Sequence, residues 1–354
     1  MSVLKEMFEK WDADLPVTLA TIIETKGSTY RKTGAQIIID STGKRSGQLS
    51  GGCIEQDIEE NAKELRESIE NYKVLQYLNL TKPDEIWGFD KGCRGDMHIL
   101  LEKSNWLKQR RSILEKNLME NNTIFYFIVL SHPRNPDLNG KRLLTVNHLV
   151  ESYDEGLESV IDWIGKVKEQ DLQSGLLFDP ITQMTIYCHK FEKTSPLIII
   201  GSGDDVLPVI ELSQKLKWEV HLGDFRENNI RNISNEYKIS SENIGRNIDS
   251  MENFIKKYPN TTPIIIMSHN LDFDALALKS ALLNNQEYIG VLGPRHRLNN
   301  LLAKINMSYR PAIRNPIGVP INADTPEEIA ISIVGEIIAF NSKQKNKMIK
   351  VEKK

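Results

Sequence analysis

The feature that most constrains the fold is a short, fully apolar segment followed at once by two closely spaced glycines. Leu197–Ile200 has the length and composition of a buried strand, Gly201-Ser-Gly203 follows it, and residues 205–217 have helical spacing. Further apolar strands at 219–222, 263–267 and 288–292 alternate with amphipathic helices. Strands that alternate with helices of this length predict a parallel α/β sheet.

The two glycines stand where a dinucleotide-binding fold places its phosphate-binding turn. Gly201 and Gly203 allow a tight turn and a close approach of the backbone to a phosphate at the helix N-terminus. Asp224 ends the next predicted strand, which is the position of a ribose-binding carboxylate. We therefore predict a Rossmann-like domain with Gly201, Gly203 and Asp224 at its cofactor site.

Two features of the same segment argue against tight binding of a free dinucleotide. The third small position of the fingerprint holds Val206, and Asp204 and Asp205 place two negative charges beside the expected diphosphate. NAD(P) is therefore expected to bind weakly. The alternative is a turn that needs its glycines only for packing.

The residues before this region follow a different pattern, which predicts a separate domain. Its predicted elements are a helix at 3–10, strands at 17–23 and 35–39, a helix at 53–72, a helix at 149–168 and a last strand at 186–191. Glu192–Pro196 is the best candidate for a linker. We predict an α+β or α/β domain at 1–195 and a Rossmann-like domain at 196–354, whose final helix ends at about Phe340.

Cys53 is the strongest candidate for a functional thiol. It follows Gly51 and Gly52 and opens a predicted helix, so the exposed N–H groups and the helix dipole favour the thiolate. The two glycines can also offer backbone donors to an anion. The alternative is a buried structural cysteine.

The other two cysteines have different surroundings. Cys93 lies in a glycine-flanked loop beside Arg94, whose guanidinium would lower the pKa of the thiol, although the loop taken alone is equally a plain turn. Cys188 alternates within a predicted strand, which indicates a structural role. The spacing of Cys53 and Cys93 does not match a zinc site, and three cysteines do not make a disulfide framework.

Two cationic segments are candidates for anion binding. The loop from Gly27 to Gly34 contains Ser28 and Arg31, and a guanidinium with neighbouring hydroxyls suits an oxyanion such as phosphate. Arg295 begins a cationic cluster just beyond a predicted strand, where open α/β sheets bind ligands. The alternatives are a solvated hairpin-like loop and a surface arginine at a helix start.

Charge and hydropathy exclude several classes of partner. Lys and Arg number 45 against 48 Asp and Glu, a net charge of −3, so the chain has no general attraction to nucleic acid or to an anionic membrane. No apolar run reaches the roughly 20 residues of a membrane span, and the N-terminus lacks the apolar core of a signal peptide. We expect a soluble, cytoplasmic protein.

These motifs, in this order, resemble the XdhC/CoxI family, the accessory proteins of xanthine dehydrogenase and related molybdenum hydroxylases. The segments that carry the resemblance are Gly27–Ala35, Ser50–Glu55, Gly92–Gly95, Leu197–Gly203, Asp224–Arg226, Tyr288–Gly293 with Arg295, and Ile317–Ala330.

The resemblance implies a maturation factor that is non-catalytic or only weakly catalytic. Such a protein binds molybdenum cofactor (molybdopterin), holds it during sulfuration by a cysteine desulfurase and delivers it to the apo-form of xanthine dehydrogenase or a related hydroxylase. Cys53 would then contact molybdenum or its exchangeable ligand, with Cys93 as a second sulfur. The loops around Gly27 and Gly51 would surround the cofactor, and a homodimer is among the expected assemblies.

Two other functions compete with this expectation. An NAD(P)-dependent oxidoreductase is what the glycine fingerprint alone suggests, but no set of acid and base residues for hydride transfer accompanies it. A scaffold that binds a partner enzyme and no small molecule leaves the cysteine and glycine loops unexplained.

Overall fold

The computed structural model describes residues 3–52, 54–78, 95–120, 122–167, 172–191 and 196–351, with side chains up to residue 342, Met119 excepted. Contacts between Cα atoms divide the chain into Ser2–Lys193 and Thr194–Lys354, here called the amino-terminal and carboxyl-terminal units. That residues 1–195 and 196–354 are separate domains stays a prediction.

The amino-terminal unit is a mixed α/β structure. Its described helices are α1 (Val3–Asp12), α2 (Glu55–Glu67), α3 (Asn105–Lys108), α4 (Arg111–Met119) and α5 (Glu158–Ile164). Its described strands are β1 (Val17–Gly27), β2 (Gln36–Asp40), β3 (Arg45–Ser46), β4 (Tyr72–Tyr77), β5 (Gly95–Lys103), β6 (Ile124–Ser131), β7 (Arg142–Val146), β8 (Leu149–Tyr153), β9 (Gly175–Asp179) and β10 (Met184–Phe191).

These strands form two antiparallel sheets. The first has the order β3-β2-β1-β5-β4 and the second the order β8-β7-β6-β10-β9. One apolar cluster joins α1 to both sheets, a second lies between the first sheet and α2, and a third lies between the second sheet and α5. Alternating side chains on the central strands therefore reach different clusters: Ile99 packs towards α2 and Leu100 towards the second sheet.

Two helix predictions for this unit are wrong in part. The helix predicted at 149–168 is instead the strand β8, followed by the short helix α5. Asn147 and His148 both have positive φ, which makes a two-residue hairpin turn that folds β8 back onto β7. The helix predicted to open at Cys53 begins at Glu55 and ends at Glu67, so that Tyr72 starts β4.

The carboxyl-terminal unit contains a parallel sheet with helices between its strands, which confirms the predicted Rossmann-like fold class. Its described elements are β11 (Pro196–Ile200), α6 (Leu207–Lys215), β12 (Glu219–Asp224), α7 (Glu227–Tyr237), β13 (Ser240–Asn243), α8 (Ile248–Ile255), β14 (Ile264–Ile266), α9 (Leu271–Leu283), β15 (Ile289–Val291), α10 (Arg295–Ile305), β16 (Ile313–Arg314) and α11 (Pro326–Val351).

The strand order of this sheet is β13-β12-β11-β14-β15-β16, and every pair is parallel. The chain leaves β11 in one direction and returns to its other side at β14, so the switch point of the topology lies between these two strands. Apolar clusters cover both faces of the sheet. The last helix starts as predicted, with Thr325 and Glu328 forming a capping box, but it continues past Phe340 to Val351.

Candidate functional site

Two glycines of the predicted loops, Gly27 and Gly95, lie together at one end of the first sheet. Gly27 at the end of β1 is paired with Gly95 at the start of β5. A Cβ added at Gly95 would lie 2.5 Å from the carbonyl oxygen of Lys26 and 2.9 Å from that of Ser28, so only glycine allows this approach. The start of the Ser28 loop therefore packs against Gly95, the last residue of the predicted Gly92–Gly95 segment.

The predicted anion loop is open to solvent at its tip. Ser28 approaches the sheet end through its carbonyl oxygen, whereas Arg31 is exposed. The hydroxyl of Thr29 donates to the carbonyl oxygen of Arg31 at 2.8 Å, which closes the loop locally. Arg31 is thus exposed on the loop that follows β1, and its role in anion binding stays a prediction.

The Ser50-Gly51-Gly52 turn is fixed by hydrogen bonds to the buried carboxylate of Glu55. Glu55, 2% exposed, accepts hydrogen bonds from the backbone N–H groups of Leu49 at 3.1 Å and Ser50 at 2.7 Å, and from the Ser50 hydroxyl. Gly51 and Gly52 remain exposed, and Gly52 has φ +107°, a conformation that favours glycine. Glu55 thus fixes the turn that carries the two glycines, a role that sequence reasoning missed.

The electrostatics of Glu55 follow from this arrangement. Burial raises the pKa of the Glu55 carboxyl, but the hydrogen bonds from Ser50 and Leu49 outweigh burial, and the net effect is a lowered pKa. A lowered pKa means that the ionised carboxylate stabilises the folded state. This contribution is present above the pKa of the unfolded chain and is lost as the pH falls through the lower, folded pKa.

We expect Glu55→Gln to lower the free energy of unfolding by about 1.5–3 kcal/mol at neutral pH, because hydrogen bonds to an ionised acceptor are replaced by weaker ones. Chemical denaturation measures this loss. The loss should shrink on acidification below about pH 4.3, where the unfolded carboxyl protonates. A difference between parent and variant that stays constant from pH 7 to pH 3 would contradict the assignment. Gln56→Glu on the exposed side of α2 is the control for a charge change at the same helix start.

The cysteine predictions have different outcomes. Cys53 and Cys93, with Arg94, lie outside the described residues. Cys188 lies on β10 and is fully buried, and burial raises the pKa of its thiol to about 12. Such a thiol is protonated and inert at neutral pH, which agrees with the structural role predicted for Cys188.

Two cavities of the amino-terminal unit differ in their relation to these loops. A groove of about 760 Å³ lies at the other end of the first sheet, beside the turn after β2, and none of those predicted site residues that the structure describes lines it. A smaller cavity of about 240 Å³ lies at the end from which the glycine loops leave, and polar side chains of β1, β4 and β5 line it. Sequence reasoning missed it, although polar residues on an otherwise apolar strand face are a visible signal.

The glycine turn of the carboxyl-terminal unit has the predicted position. Gly201 follows β11 at the switch point with φ +143°, and a Cβ there would lie 2.6 Å from the carbonyl oxygen of Met267. Gly203 follows, but a Cβ there would lie 2.6 Å from Oδ1 of Asp205 and 3.8 Å from Cδ2 of His269. Nε2 of His269 and Oδ2 of Asp205 are 2.7 Å apart. The Asp205–His269 pair therefore covers the surface where a diphosphate would approach Gly203.

Asp224 ends β12 as predicted, but its carboxylate already has a partner. It is fully buried, and Arg226 donates to it through Nε at 3.1 Å, through Nη2 at 2.6 Å and through the backbone N–H at 2.9 Å. These bonds raise the pKa of Arg226. Arg226 Nη2 also lies 3.4 Å from the carbonyl oxygen of Ser268, beyond β14, so the guanidinium spans the end of β11.

A second ion pair closes the other side of the switch point. Asp274 on α9 is buried and accepts hydrogen bonds from the backbone N–H and hydroxyl of Ser268 and from Nη2 of Arg297. Burial raises the pKa of Asp274. Arg295, at the start of α10, is exposed, and Val206 lies in the core. The carboxylates of Asp205, Asp224 and Asp274 thus each have a partner within the protein, and weak NAD(P) binding stays a prediction.

Comparison with known proteins decides the family. A model described as "XdhC and CoxI family" matches residues 10–77, and a model described as "XdhC Rossmann domain" matches residues 197–337, so that together they span more than half of the chain. The chain belongs to the XdhC/CoxI family. This confirms the family to which the sequence motifs pointed.

Two relatives of this XdhC/CoxI protein extend over nearly its whole length. A protein of Bacillus subtilis (strain 168), described as a probable subunit of xanthine dehydrogenase, is 26% identical over 322 residues, which are 90% of this chain and 92% of the relative. A crystal structure titled as a xanthine dehydrogenase from Bacillus halodurans is 26% identical, with a TM-score of 0.78, and the match covers 97% of this chain and 96% of that one.

The described part of the XdhC/CoxI chain bears on two further expectations. Among its residues there is no group of three or more His, Cys, Asp or Glu side chains that could hold a metal ion. None of its helices is long and apolar enough to cross a membrane. A metal contact by Cys53 concerns a residue outside this part and stays a prediction.

Proposed function

We propose that this chain is an accessory protein of xanthine dehydrogenase or a related molybdenum hydroxylase, and that it holds molybdenum cofactor during sulfuration and delivers it to the apo-enzyme. Membership of the XdhC/CoxI family and the xanthine dehydrogenase names of both relatives support the accessory role. The observation that carries the cofactor proposal is the close approach of Gly27 and Gly95, from two of the predicted glycine segments, at one end of the first sheet.

The residues of the predicted loops have the chemistry that the cofactor requires. When bound, the cofactor supplies a molybdenum centre with an exchangeable sulfur ligand and a pterin that carries a phosphate. Arg31 and the hydroxyl of Ser28 suit the phosphate, and the exposed backbone of Gly51 and Gly52 can donate to an anionic ligand. Cys53 follows these glycines and would supply a thiol, with Cys93 in the loop that leads to Gly95.

The partners follow from this role. The chain would bind an apo-hydroxylase such as xanthine dehydrogenase and a cysteine desulfurase that supplies the sulfur, in the cytoplasm. A homodimer remains an expectation. No contact with nucleic acid is expected from a net charge of −3.

The second candidate, an NAD(P)-dependent oxidoreductase, is less well supported by the geometry. A diphosphate at Gly203 would meet the Asp205 carboxylate, and the Asp224 carboxylate, which would accept from the ribose, already accepts from Arg226. A dinucleotide would have to displace both interactions, so its binding energy would be reduced by the cost of breaking them.

One preparation discriminates between the two functions. We expect protein purified from cells that make molybdenum cofactor to release a fluorescent pterin on acid oxidation, and to show no turnover of NAD(P)H. Calorimetric titration with NAD(P) should give no dissociation constant as tight as about 1 μM, which corresponds to about −8 kcal/mol. A pterin-free preparation that binds NAD(P) with a dissociation constant of about 1 μM or tighter would overturn the carrier function in favour of an oxidoreductase.

A further inference from the structure

One face of the first sheet changes from apolar to polar at the end from which the glycine loops leave. Along β5, Leu100 packs in the core that joins the two sheets, whereas His98 and Asp96, on the same face, do not. The neighbouring strands change in the same way: Val74 of β4 packs against that core, and Gln76, two residues on, is exposed. A strand face that turns polar beside candidate binding loops is a candidate site itself.

The strand register places these polar side chains side by side. His98 is paired with Glu24 on β1 and with Gln76 on β4, so the three form one row across the sheet. Lys26 is paired with Asp96 in the next row towards the loops. These side chains, with that of Leu78, line the cavity of about 240 Å³. Side chains from adjacent strands form its walls, which makes it more rigid than a loop site.

Two cationic or donor side chains in the cavity contact the carboxylate of Glu24. Nδ1 of His98 lies 3.1 Å from Oε2 of Glu24, and Nζ of Lys26 lies 3.7 Å from Oε1 of the same carboxylate. Each carboxylate oxygen has two lone pairs, so Glu24 can accept further hydrogen bonds while it keeps these contacts. The cavity combines two carboxylates with donors from His98, Lys26 and Gln76.

This chemistry fits one kind of ring. A 2-amino-4-oxopyrimidine ring carries an amino group next to a ring N–H, and a carboxylate can accept from both at once. Its carbonyl oxygen accepts from an amide or a cation on the other side. Pterins and guanine share this edge. The cavity is below the roughly 300 Å³ at which sites for drug-sized ligands begin, and so matches a bicyclic ring rather than a dinucleotide.

We propose that this cavity, lined by Glu24, Lys26, Gln76, Leu78, Asp96 and His98, binds the pterin ring of the cofactor, an inference that rests on the proposed function. Beyond Lys26 and Asp96 the next pair along the strands is Gly27 and Gly95, from which the Ser28 and Cys93 loops leave. A pterin bound here would place its substituents towards those loops, so the ring and the phosphate would have separate subsites on one unit.

Titration with free rings tests the cavity without the cofactor. The fluorescence of pterin should be quenched or shifted when it binds to the full chain. Lumazine has a 2-oxo group in place of the amino donor, so its affinity should be lower by about tenfold or more. Glu24→Gln and Asp96→Asn should each lower pterin affinity by about tenfold or more, for the same loss of a charged acceptor. Glu60→Gln, on α2 at the other face of the sheet, is the matched control and should bind as the parent does.

The outcomes separate this inference from the function on which it rests. Equal binding of pterin and lumazine, or unchanged pterin affinity in both cavity variants, would overturn the cavity assignment even in a protein that carries cofactor. If the cavity binds pterin more tightly than lumazine but the protein never co-purifies with pterin, the cavity assignment stands and the proposed function as a cofactor carrier is wrong. Guanosine binding tighter than pterin binding would assign the site to a guanine nucleotide and overturn the pterin assignment.

Discussion

Replacing Arg142 with Met is expected to lower the free energy of unfolding by about 3–5 kcal/mol, because the change leaves a buried carboxylate without its charged partner. Arg142 on β7 donates from Nε to the hydroxyl of Tyr126 at 3.0 Å, and the same nitrogen lies 3.5 Å from Glu102 on β5. Tyr126 in turn donates to Glu102. The three buried side chains link the two sheets of the amino-terminal unit. Chemical denaturation followed by circular dichroism measures the loss.

The pH dependence gives this prediction a second readout. Burial raises the pKa of Glu102 although Arg142 and Tyr126 oppose the shift, so the folded state binds a proton more readily than the unfolded chain does. Removing Arg142 should raise this pKa further. A group with a raised folded pKa contributes stability that is present below the unfolded pKa, about 4.3, and lost as the pH rises through the folded value. The deficit of Arg142→Met should therefore shrink on acidification.

Two comparison variants make the Arg142 result interpretable. Glu102→Gln combined with Arg142→Met should regain most of the loss, since no buried charge remains and the amide oxygen still accepts from Tyr126. Arg111→Met removes an arginine of the same unit whose partner, Asp12, is exposed, and its effect should be much smaller. A loss in Arg142→Met no larger than that in Arg111→Met would show that the buried group of three does not hold the sheets together.

The sequence was most informative where local pattern alone decides structure. Short apolar strands separated by helices predicted the parallel sheet, and the Gly201 turn and the Asp224 strand end lie where they were expected. β8 was missed because its decisive signal is the two-residue turn at Asn147 and His148, in which neither residue is glycine. Nothing in the hydrophobic spacing of residues 149–168 indicates that turn.

Contacts between distant residues were beyond the reach of the sequence. Asp205 and His269 are 64 positions apart and belong to loops after different strands, yet their side chains contact each other beside Gly203, where a diphosphate would approach. The polar row of Glu24, His98 and Gln76 exists only because the strand order brings β1, β5 and β4 together. The types of residue indicated which side chains could bind a ligand, whereas strand register and topology determined which of them lie together.

The two units thus differ in what they offer a ligand. The amino-terminal unit has exposed glycines, an exposed arginine in the loop after β1, and a polar cavity. The switch point of the carboxyl-terminal unit has its carboxylates bound to Arg226, His269 and Arg297. The exposed groups that could bind a ligand thus lie in the unit that contains Cys53. Substitution of this cysteine is therefore the most direct test of the proposed function.

We expect Cys53→Ala to abolish retention of molybdenum cofactor while the protein remains folded. A thiol that follows two exposed glycines contributes little to packing, whereas a cofactor with an exchangeable metal ligand needs a sulfur or a comparable donor at that point. The Glu55 carboxylate should still hold the turn, because its oxygens accept hydrogen bonds from Leu49 and Ser50. Pterin content per protein after co-purification, with the unfolding midpoint measured in parallel, gives the result.

Cys188→Ala is the matched control, because Cys188 is the same residue type in a fully buried position whose thiol has a pKa of about 12. It should retain as much pterin as the parent, at some cost in stability from the small cavity it leaves. In single-cysteine variants near neutral pH, Cys53 should be alkylated faster than Cys188, since the thiolate is the reactive form. A Cys53→Ala protein that is folded and carries the parent's pterin content would leave Cys53 a structural residue behind a glycine turn. The cofactor would then be held by the cavity and the cationic loop without a thiol.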